Sequence, residues 1–143
     1  LQKSSHFNQG FATTEFMAAA LLDMADHTVQ STEPLDVEKF ERETLKKLGL
    51  IPEITVRYRS TYFSHIFDGG YSAGYYAYTW AEVLDADAFE AFKETGDIFN
   101  PEKARAFHTL LAKGGSEEAM KLYTDFRGKE PSIEALLKRR GLK

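Results

Sequence analysis

Residues 65–94 read HIFDGGYSAGYYAYTWAEVLDADAFEAFKE, and they determine the architecture that the sequence predicts. Adjacent glycines at 69 and 70 give the backbone a freedom that makes a regular element end there. Apolar residues then recur at helical spacing, which predicts one long helix from about residue 71 to residue 94, stopped by Gly96. The predicted buried stripe of this helix consists of Trp80, Val83, Leu84, Ala88, Ala91 and Phe92.

Start and stop signals on both sides of this stretch predict further helices. Residues 16–22 are apolar on almost every side, which is typical of a core helix, here over residues 14–29, that is buried on more than one face. Residues 55–67 predict a short helix or an irregular segment. The other predicted starts are at Asp36, Asn100, Ser116 and Pro131, and Thr13 or Thr14 caps the first helix. Six or seven helices without a convincing hairpin predict an all-α fold, with residues 1–143 as a single helical segment.

Composition limits the function classes that are open to this chain. It has 143 residues and a net charge of −4, from 18 basic and 22 acidic side chains, which argues against a nucleic-acid partner. Cysteine is absent, which excludes disulfides and thiolate metal ligands. No apolar run approaches the roughly 20 residues of a membrane span. We expect no membrane partner and a cytoplasmic location, unless an upstream segment carries a signal peptide.

The sequence contains no complete metal or catalytic motif. Its four histidines, at 6, 27, 65 and 108, include no pair three to five residues apart, so there is no HExxH motif. A zinc site made by this chain alone is therefore not expected. Charge is also uneven, because residues 82–102 carry seven acidic residues and residues 127–143 carry six basic ones. These runs are either solvated faces or partners for each other.

Residues 57–78 concentrate aromatic side chains that carry polar tips. Six of the seven tyrosines lie there, with His65, two arginines and three glycines. On the predicted helix, Tyr71, Tyr75 and Tyr78 share one face, each with a phenolic donor. Such stripes usually pack at a seam between helices. The concentration of donors beside a histidine favours a second interpretation, a donor array around a substrate carbonyl.

The block from His65 to Tyr78, followed by Trp-Ala-Glu-Val-Leu-Asp-Ala-Asp-Ala-Phe, resembles the thimet-oligopeptidase-like zinc metallopeptidases. The resemblance is strongest to their bacterial peptidyl-dipeptidase (dipeptidyl carboxypeptidase) branch. It implies a large, mostly helical, zincin-type peptidase of which this chain is the C-terminal portion. Further similar segments are Phe-Asn-Gln-Gly-Phe at 7–11, Ala-Leu-Leu-Asp-Met at 20–24, Arg-Tyr-Arg-Ser at 57–60, Phe-Arg-Gly-Lys at 126–129 and Arg-Gly-Leu at 140–142.

The resemblance also implies a site and its partners. In the family, the HExxH helix and a third ligand, a glutamate, lie upstream, so the zinc cofactor is expected to have no ligand here; Glu15 and Glu82 stand outside any ligand context. Short peptides are the implied substrates, and the upstream portion of the parent peptidase is an implied partner. The implied catalytic residues, which hydrogen-bond substrate and oxyanion, are His65, Tyr71 and Tyr78. The implied substrate-binding residues are Tyr75, Gly69 and Gly70.

Several alternatives remain open at this level. The chain could be a non-catalytic helical interaction module, or part of an endo-acting oligopeptidase of the same family. Alone, it is expected to be inactive, and its apolar helix over residues 14–29 predicts self-association. Arg57 and Arg59 either clamp the C-terminal carboxylate of a peptide or pair with acidic neighbours, and we expect such pairing for at least one of them.

Overall fold

The computed structural model describes residues 2–143 and the side chains of residues 4–143. Within that range the chain forms helices and no strand, so the predicted all-α fold is confirmed. None of the described helices is both long and apolar enough to cross a bilayer. A 3₁₀ turn, η1, spans Ser60–Tyr62. The α-helices are α1 (Gln2–Ser5), α2 (Gln9–Asp26), α3 (Val37–Lys47), α4 (Ser64–Phe67), α5 (Ala77–Lys93), α6 (Pro101–Lys113), α7 (Ala119–Arg127) and α8 (Glu134–Arg139).

The chain divides into two compact units, Leu1–Tyr78 and Thr79–Lys143. In the first unit α2 packs against α3, and α3 contacts η1. Small residues on α2 let aromatic side chains approach its backbone. The main buried cluster of this unit consists of Ala19, Ala20, Phe63, Ile66 and Tyr75. Whether residues 1–143 form one segment of a catalytic domain stays a prediction.

Helix α2 begins earlier than its cap signals suggested. Asn8 precedes it in the left-handed conformation, with φ 58°, and the amide of Ala12 donates to the Asn8 carbonyl at 3.1 Å. The prediction that Thr13 or Thr14 starts the helix is therefore wrong, because asparagine tolerates this conformation and both threonines lie inside the helix. Leu21 and Met24 are 44% and 40% exposed, so α2 is not buried all round within the described chain.

Helix α5 begins six residues later than predicted, at Ala77. Residues 71–76 form turns instead, and Ala73 has a left-handed φ of 50° that no helix accommodates. Trp80 lies in phase with the predicted buried stripe but is 41% exposed, so the stripe is covered only from Val83 onward. The start of this helix is thus set by the turns before it rather than by its own apolar pattern.

The second unit follows the predicted start signal at α6 but not at α7 or α8, and α8 begins at Glu134 rather than at Pro131 as predicted. The Asn100 side chain accepts hydrogen bonds from the amides of Glu102 and Lys103, as expected for the start of α6. Helix α7 begins after Glu118, whose carboxylate caps it, and not after Ser116 as predicted. A carboxylate also suits the partial positive charge of the helix N-terminus, which explains why it replaces the serine.

The acidic and basic runs pair with each other inside this unit. Arg139 contacts the Asp85 carboxylate at 2.6 Å, and Arg140 contacts that of Glu82 at the same distance. Both pairs reach from α5 to the C-terminal residues of the chain. The interpretation of the two runs as mutual partners is confirmed for these residues.

Candidate active site

A buried carboxylate on α2 holds the turn that precedes α5. Asp23 is fully buried, and its Oδ1 accepts a hydrogen bond from the amide of Ala73 at 2.9 Å. Its Oδ2 accepts one from the amide of Tyr75 at 2.8 Å. The imidazole Nδ1 of His27 lies 2.9 Å from Oδ1. Each oxygen therefore faces an N–H group, which offsets the cost of burying the carboxylate.

The glycine turn brings His65 against the start of this segment. The amide of Tyr71 donates to the His65 carbonyl at 2.9 Å. A Cβ added at Gly69 would lie 2.8 Å from the His65 Cα, so no other residue fits there without a backbone shift. Gly70 has a φ of 79°, which favours glycine for conformational reasons. Both predicted binding glycines therefore shape the backbone around His65.

Four tyrosine rings surround the His65 ring. Their centroids lie 5.0 Å away for Tyr58, 6.2 Å for Tyr71, 5.7 Å for Tyr75 and 6.4 Å for Tyr78. The Nδ1 atom of His65 is buried and has no hydrogen-bond partner among the described residues. A buried ring nitrogen without a partner carries a desolvation cost, which is typical of a site that is completed by something else.

Tyr71 and Tyr78 form a hydrogen-bonded pair at the surface of this cluster. Their rings stack with centroids 5.0 Å apart, and the side chains are 37% and 38% exposed. The hydrogen bond to Tyr71, together with desolvation, raises the pKa of Tyr78 to about 12. In a pair of hydroxyls one group donates and the other accepts, so one phenolic proton of the pair remains for a further acceptor.

Tyr75 occupies a different position from the other two tyrosines. It is 3% exposed, stacks on Phe16 at 5.2 Å and contacts Phe63 edge to face at 4.9 Å. Burial raises the pKa of its hydroxyl. The structure therefore places Tyr75 in the core behind the Tyr71–Tyr78 pair, and its predicted substrate-binding role stays a prediction.

The two arginines of this region have different surroundings. Arg59 pairs with the buried carboxylate of Glu41, which also accepts the amide of Ser60 at 2.9 Å. Arg57 is exposed, with its guanidinium 5.5 Å from the centroid of the Tyr58 ring. The expectation that at least one arginine pairs with an acidic neighbour is confirmed for Arg59. Both arginines are exposed, but only Arg57 has no carboxylate partner among the described residues.

The described residues do not fit a zinc site. Within residues 2–143, no group of three or more histidine or acidic side chains is close enough to hold a metal ion. The rings that face His65 belong to tyrosines and to Phe63, which lacks any ligand atom. Any zinc that acts with these residues would need ligands from elsewhere.

Sequence reasoning missed Asp23 as a part of this site. A signal for it existed, because Asp23 interrupts the apolar run that begins at residue 16. A single acidic residue in a buried helix usually has a specific partner. Its partners, however, lie 50 and 52 residues further along the chain, where no local pattern points to them.

Comparison with known proteins places the chain in a family. The model of peptidase family M3 matches residues 1–142. Dipeptidyl carboxypeptidase of Escherichia coli (strain K12) is 42% identical over 144 residues, which cover 99% of this chain and 21% of that protein. Oligopeptidase A of the same organism is 56% identical over 82 residues, 57% of this chain and 12% of that protein.

A eukaryotic relative is more distant but matches over the same extent. Saccharolysin of Saccharomyces cerevisiae is 32% identical over 146 residues, which cover 99% of this chain and 20% of that protein. The chain thus spans about a fifth of the length of the curated relatives that it matches from end to end. The family resemblance carried by the block from His65 to Tyr78 is confirmed, and the chain belongs to peptidase family M3, a family of metallopeptidases.

Proposed function

We propose that this chain supplies the hydrogen-bond donors of a peptidase active site, opposite a zinc site held by an upstream portion of the parent protein. The substrates are short peptides, and the reaction is hydrolysis of a peptide bond. The observation that carries this proposal is the exposed Tyr71–Tyr78 pair beside His65. Membership of family M3 supports the reaction class. The absence of a fitting metal cluster among residues 2–143 agrees with ligands located elsewhere.

The tyrosine pair suits the stabilisation of an oxyanion. When a peptide carbonyl is attacked, its oxygen gains negative charge and becomes a stronger acceptor. In the proposed arrangement the Tyr71 hydroxyl accepts from Tyr78 and donates outward, and such a chain of two hydrogen bonds polarises the outer donor. One donor of this kind lowers the activation free energy by roughly 2.7–4 kcal/mol. His65 lies beside the pair and orients the substrate.

Release of C-terminal dipeptides is the specificity that we propose for the parent enzyme. It requires a cation that recognises the free carboxylate at the end of the peptide. Arg59 is paired with Glu41, so Arg57, which has no carboxylate partner among the described residues, is the candidate. An Arg57→Gln variant should lose most of the preference for a free C-terminus over an amidated one. A relative named dipeptidyl carboxypeptidase matches 99% of the chain, which supports this choice.

An endo-acting oligopeptidase is the second candidate. Its support is the 56% identity to oligopeptidase A over 82 residues, a higher value than for the carboxypeptidase although over a shorter part of the chain. Equal hydrolysis of free and C-terminally amidated peptides by the parent enzyme would favour this candidate over dipeptide release.

Kinetics of a single hydroxyl deletion test the donor role. In the full-length peptidase, Tyr71→Phe should lower kcat by roughly 100- to 1,000-fold with little change in KM, because the lost hydrogen bond is made in the transition state. Tyr62→Phe is the matched control, since Tyr62 lies in the same unit and is 61% exposed. Equal kcat values for the two variants would contradict the proposal. A non-catalytic module predicts that equality.

A further inference from the structure

The Asp23 carboxylate binds backbone rather than side chains of the segment that carries the donors. Its two oxygens accept the amides of Ala73 and Tyr75, at 2.9 and 2.8 Å. These amides lie between Tyr71 and Tyr78 in the chain. Burying a carboxylate in an apolar helix costs more free energy than burying an apolar side chain. The aspartate at this position therefore needs a role other than packing.

The held segment has a conformation that it would not keep by itself. Ala73 has a φ of 50°, a left-handed value that is unfavourable for a residue with a Cβ. Such conformations persist only where surrounding contacts determine them, and they are frequent at functional sites. Here the amide of that same strained residue is one of the two that donate to Asp23.

The other end of the segment is also fixed. The amide of Tyr71 donates to the carbonyl of His65, and the Ser72 hydroxyl donates to that of Ile66 at 2.5 Å. With Asp23 at the far end, the backbone from Tyr71 to Tyr75 is held on both sides. The separation of the Tyr71 and Tyr78 rings depends on this backbone, since one ring lies before the held turn and the other after it.

We propose that Asp23 is a positioning residue of the active site, whose carboxylate fixes the turn so that the Tyr71 and Tyr78 hydroxyls pair. This inference rests on the proposed function for its catalytic consequence, but its geometric part concerns this chain alone. Asp23 reaches the donors through the backbone of Ala73 and Tyr75 and is not itself a catalytic residue. Asparagine cannot replace it, because an amide presents only one acceptor oxygen and would aim an NH₂ group at the other N–H.

Asp23→Asn is the variant that tests the inference, with Asp26→Asn as its matched control. Asp26 lies three residues further on α2 and accepts the Ser60 hydroxyl at 3.1 Å, a contact that an amide oxygen also makes. Both variants remove one negative charge from the same helix. They differ in that only Asp23 holds the turn.

The geometric part is measured by NMR on the 143-residue chain with ring-labelled tyrosine. We expect nuclear Overhauser contacts between the stacked Tyr71 and Tyr78 rings in the unmodified chain and in Asp26→Asn, and their loss in Asp23→Asn. Retention of these contacts in a folded Asp23→Asn chain would overturn the inference.

If Asp23→Asn does not fold, hydrogen exchange of the backbone amides is measured in the unmodified chain instead. Slow exchange at Ala73 and Tyr75 supports the inference, and exchange at unstructured rates overturns it.

The catalytic part is measured in the full-length peptidase. Asp23→Asn should lower kcat by roughly 10- to 100-fold, the effect expected when donors are misplaced by about 1 Å, with little change in KM. Asp26→Asn should stay near the unmodified value. Unchanged kcat in Asp23→Asn, where Tyr71→Phe does lower it, overturns the positioning role. Unchanged kcat in Tyr71→Phe contradicts the proposed function instead, and leaves the NMR result to decide the geometry.

Discussion

Each of the two units contains a buried aspartate with a tyrosine near it. The two aspartates accept hydrogen bonds from different kinds of donor. Asp23 is fully buried and accepts backbone amides, so the hydroxyls of Tyr71 and Tyr78 do not bind it. Asp87 is 2% exposed and accepts side chains. Its Oδ2 receives the hydroxyl of Tyr123 at 2.7 Å and the Nε of Arg127 at 3.1 Å.

The two aspartates therefore differ in whether the hydroxyl of the nearby tyrosine is free to bind another group. Tyr123 is 6% exposed, and burial together with its hydrogen bond to Asp87 raises the pKa of that hydroxyl. Its donor is thus consumed inside the second unit. Tyr71 and Tyr78 are each more than a third exposed, and because one hydroxyl of a pair donates to the other, one phenolic proton remains for a further acceptor. A tyrosine is a candidate binding residue because of what its hydroxyl faces, not because of its place in an aromatic stripe.

Arg127→Met should have the largest effect on stability, because it removes the cation that balances the buried carboxylate of Asp87. The Arg127 side chain is 4% exposed and pairs with Asp87 and with Glu94. Removing it leaves the Asp87 carboxylate buried without its cation, which costs about 3–5 kcal/mol of unfolding free energy. Urea unfolding of the chain measures this loss. Lys121→Met, which removes exposed ion pairs on α7, is the control and should change stability little.

Hydroxyl deletion in the two units should give a smaller difference that compares the tyrosines directly. Tyr123→Phe removes a hydrogen bond to a buried carboxylate and should lower the unfolding free energy by about 1.5–3 kcal/mol. Tyr71→Phe keeps its ring contacts and should stay within about 0.5 kcal/mol of the unmodified chain. Equal losses in urea unfolding would contradict this difference and show that the two hydroxyls have the same structural role.

Alkaline pH should reveal the pairing of Tyr78 as the smallest effect. Its pKa is about 12 in the folded chain against an ordinary value of 10.0. The folded state therefore keeps a proton that the unfolded state loses, and the unfolding free energy falls as pH rises from 10 toward 12. Tyr78→Phe should show a shallower fall than the unmodified chain when unfolding is measured across this window. An identical fall in both would contradict the hydrogen bond to Tyr71.

Local signals were sufficient where the partners of a residue are close in sequence. Asp36 accepts the amide of Lys39, and Asn100 caps α6, as the sequence predicted. Gly49, with a φ of 74°, follows the end of α3 for the same local reason. These elements need no information from elsewhere in the chain.

The start of α5 and the geometry of the site needed information from far along the chain. The Asp23 carboxylate accepts hydrogen bonds from the amides of Ala73 and Tyr75, and these bonds keep residues 71–76 out of the helix. The sequence predicted that Tyr71 and Tyr78 lie together, but on one helical face. In the structure a turn brings their rings into contact. The Asp23 carboxylate that anchors this turn lies about 50 residues earlier in the chain, so no local pattern indicates it.

Hydrolysis of a fluorogenic peptide by the 143-residue chain tests most directly whether these residues are one side of a divided active site. The chain is assayed with added zinc, with zinc and a chelator, and with the upstream portion of the parent peptidase. We predict no turnover by the chain alone in either condition, and chelator-sensitive turnover once the upstream portion is added. Chelator-sensitive release of dipeptides by the chain alone would contradict the proposal that its zinc ligands lie elsewhere.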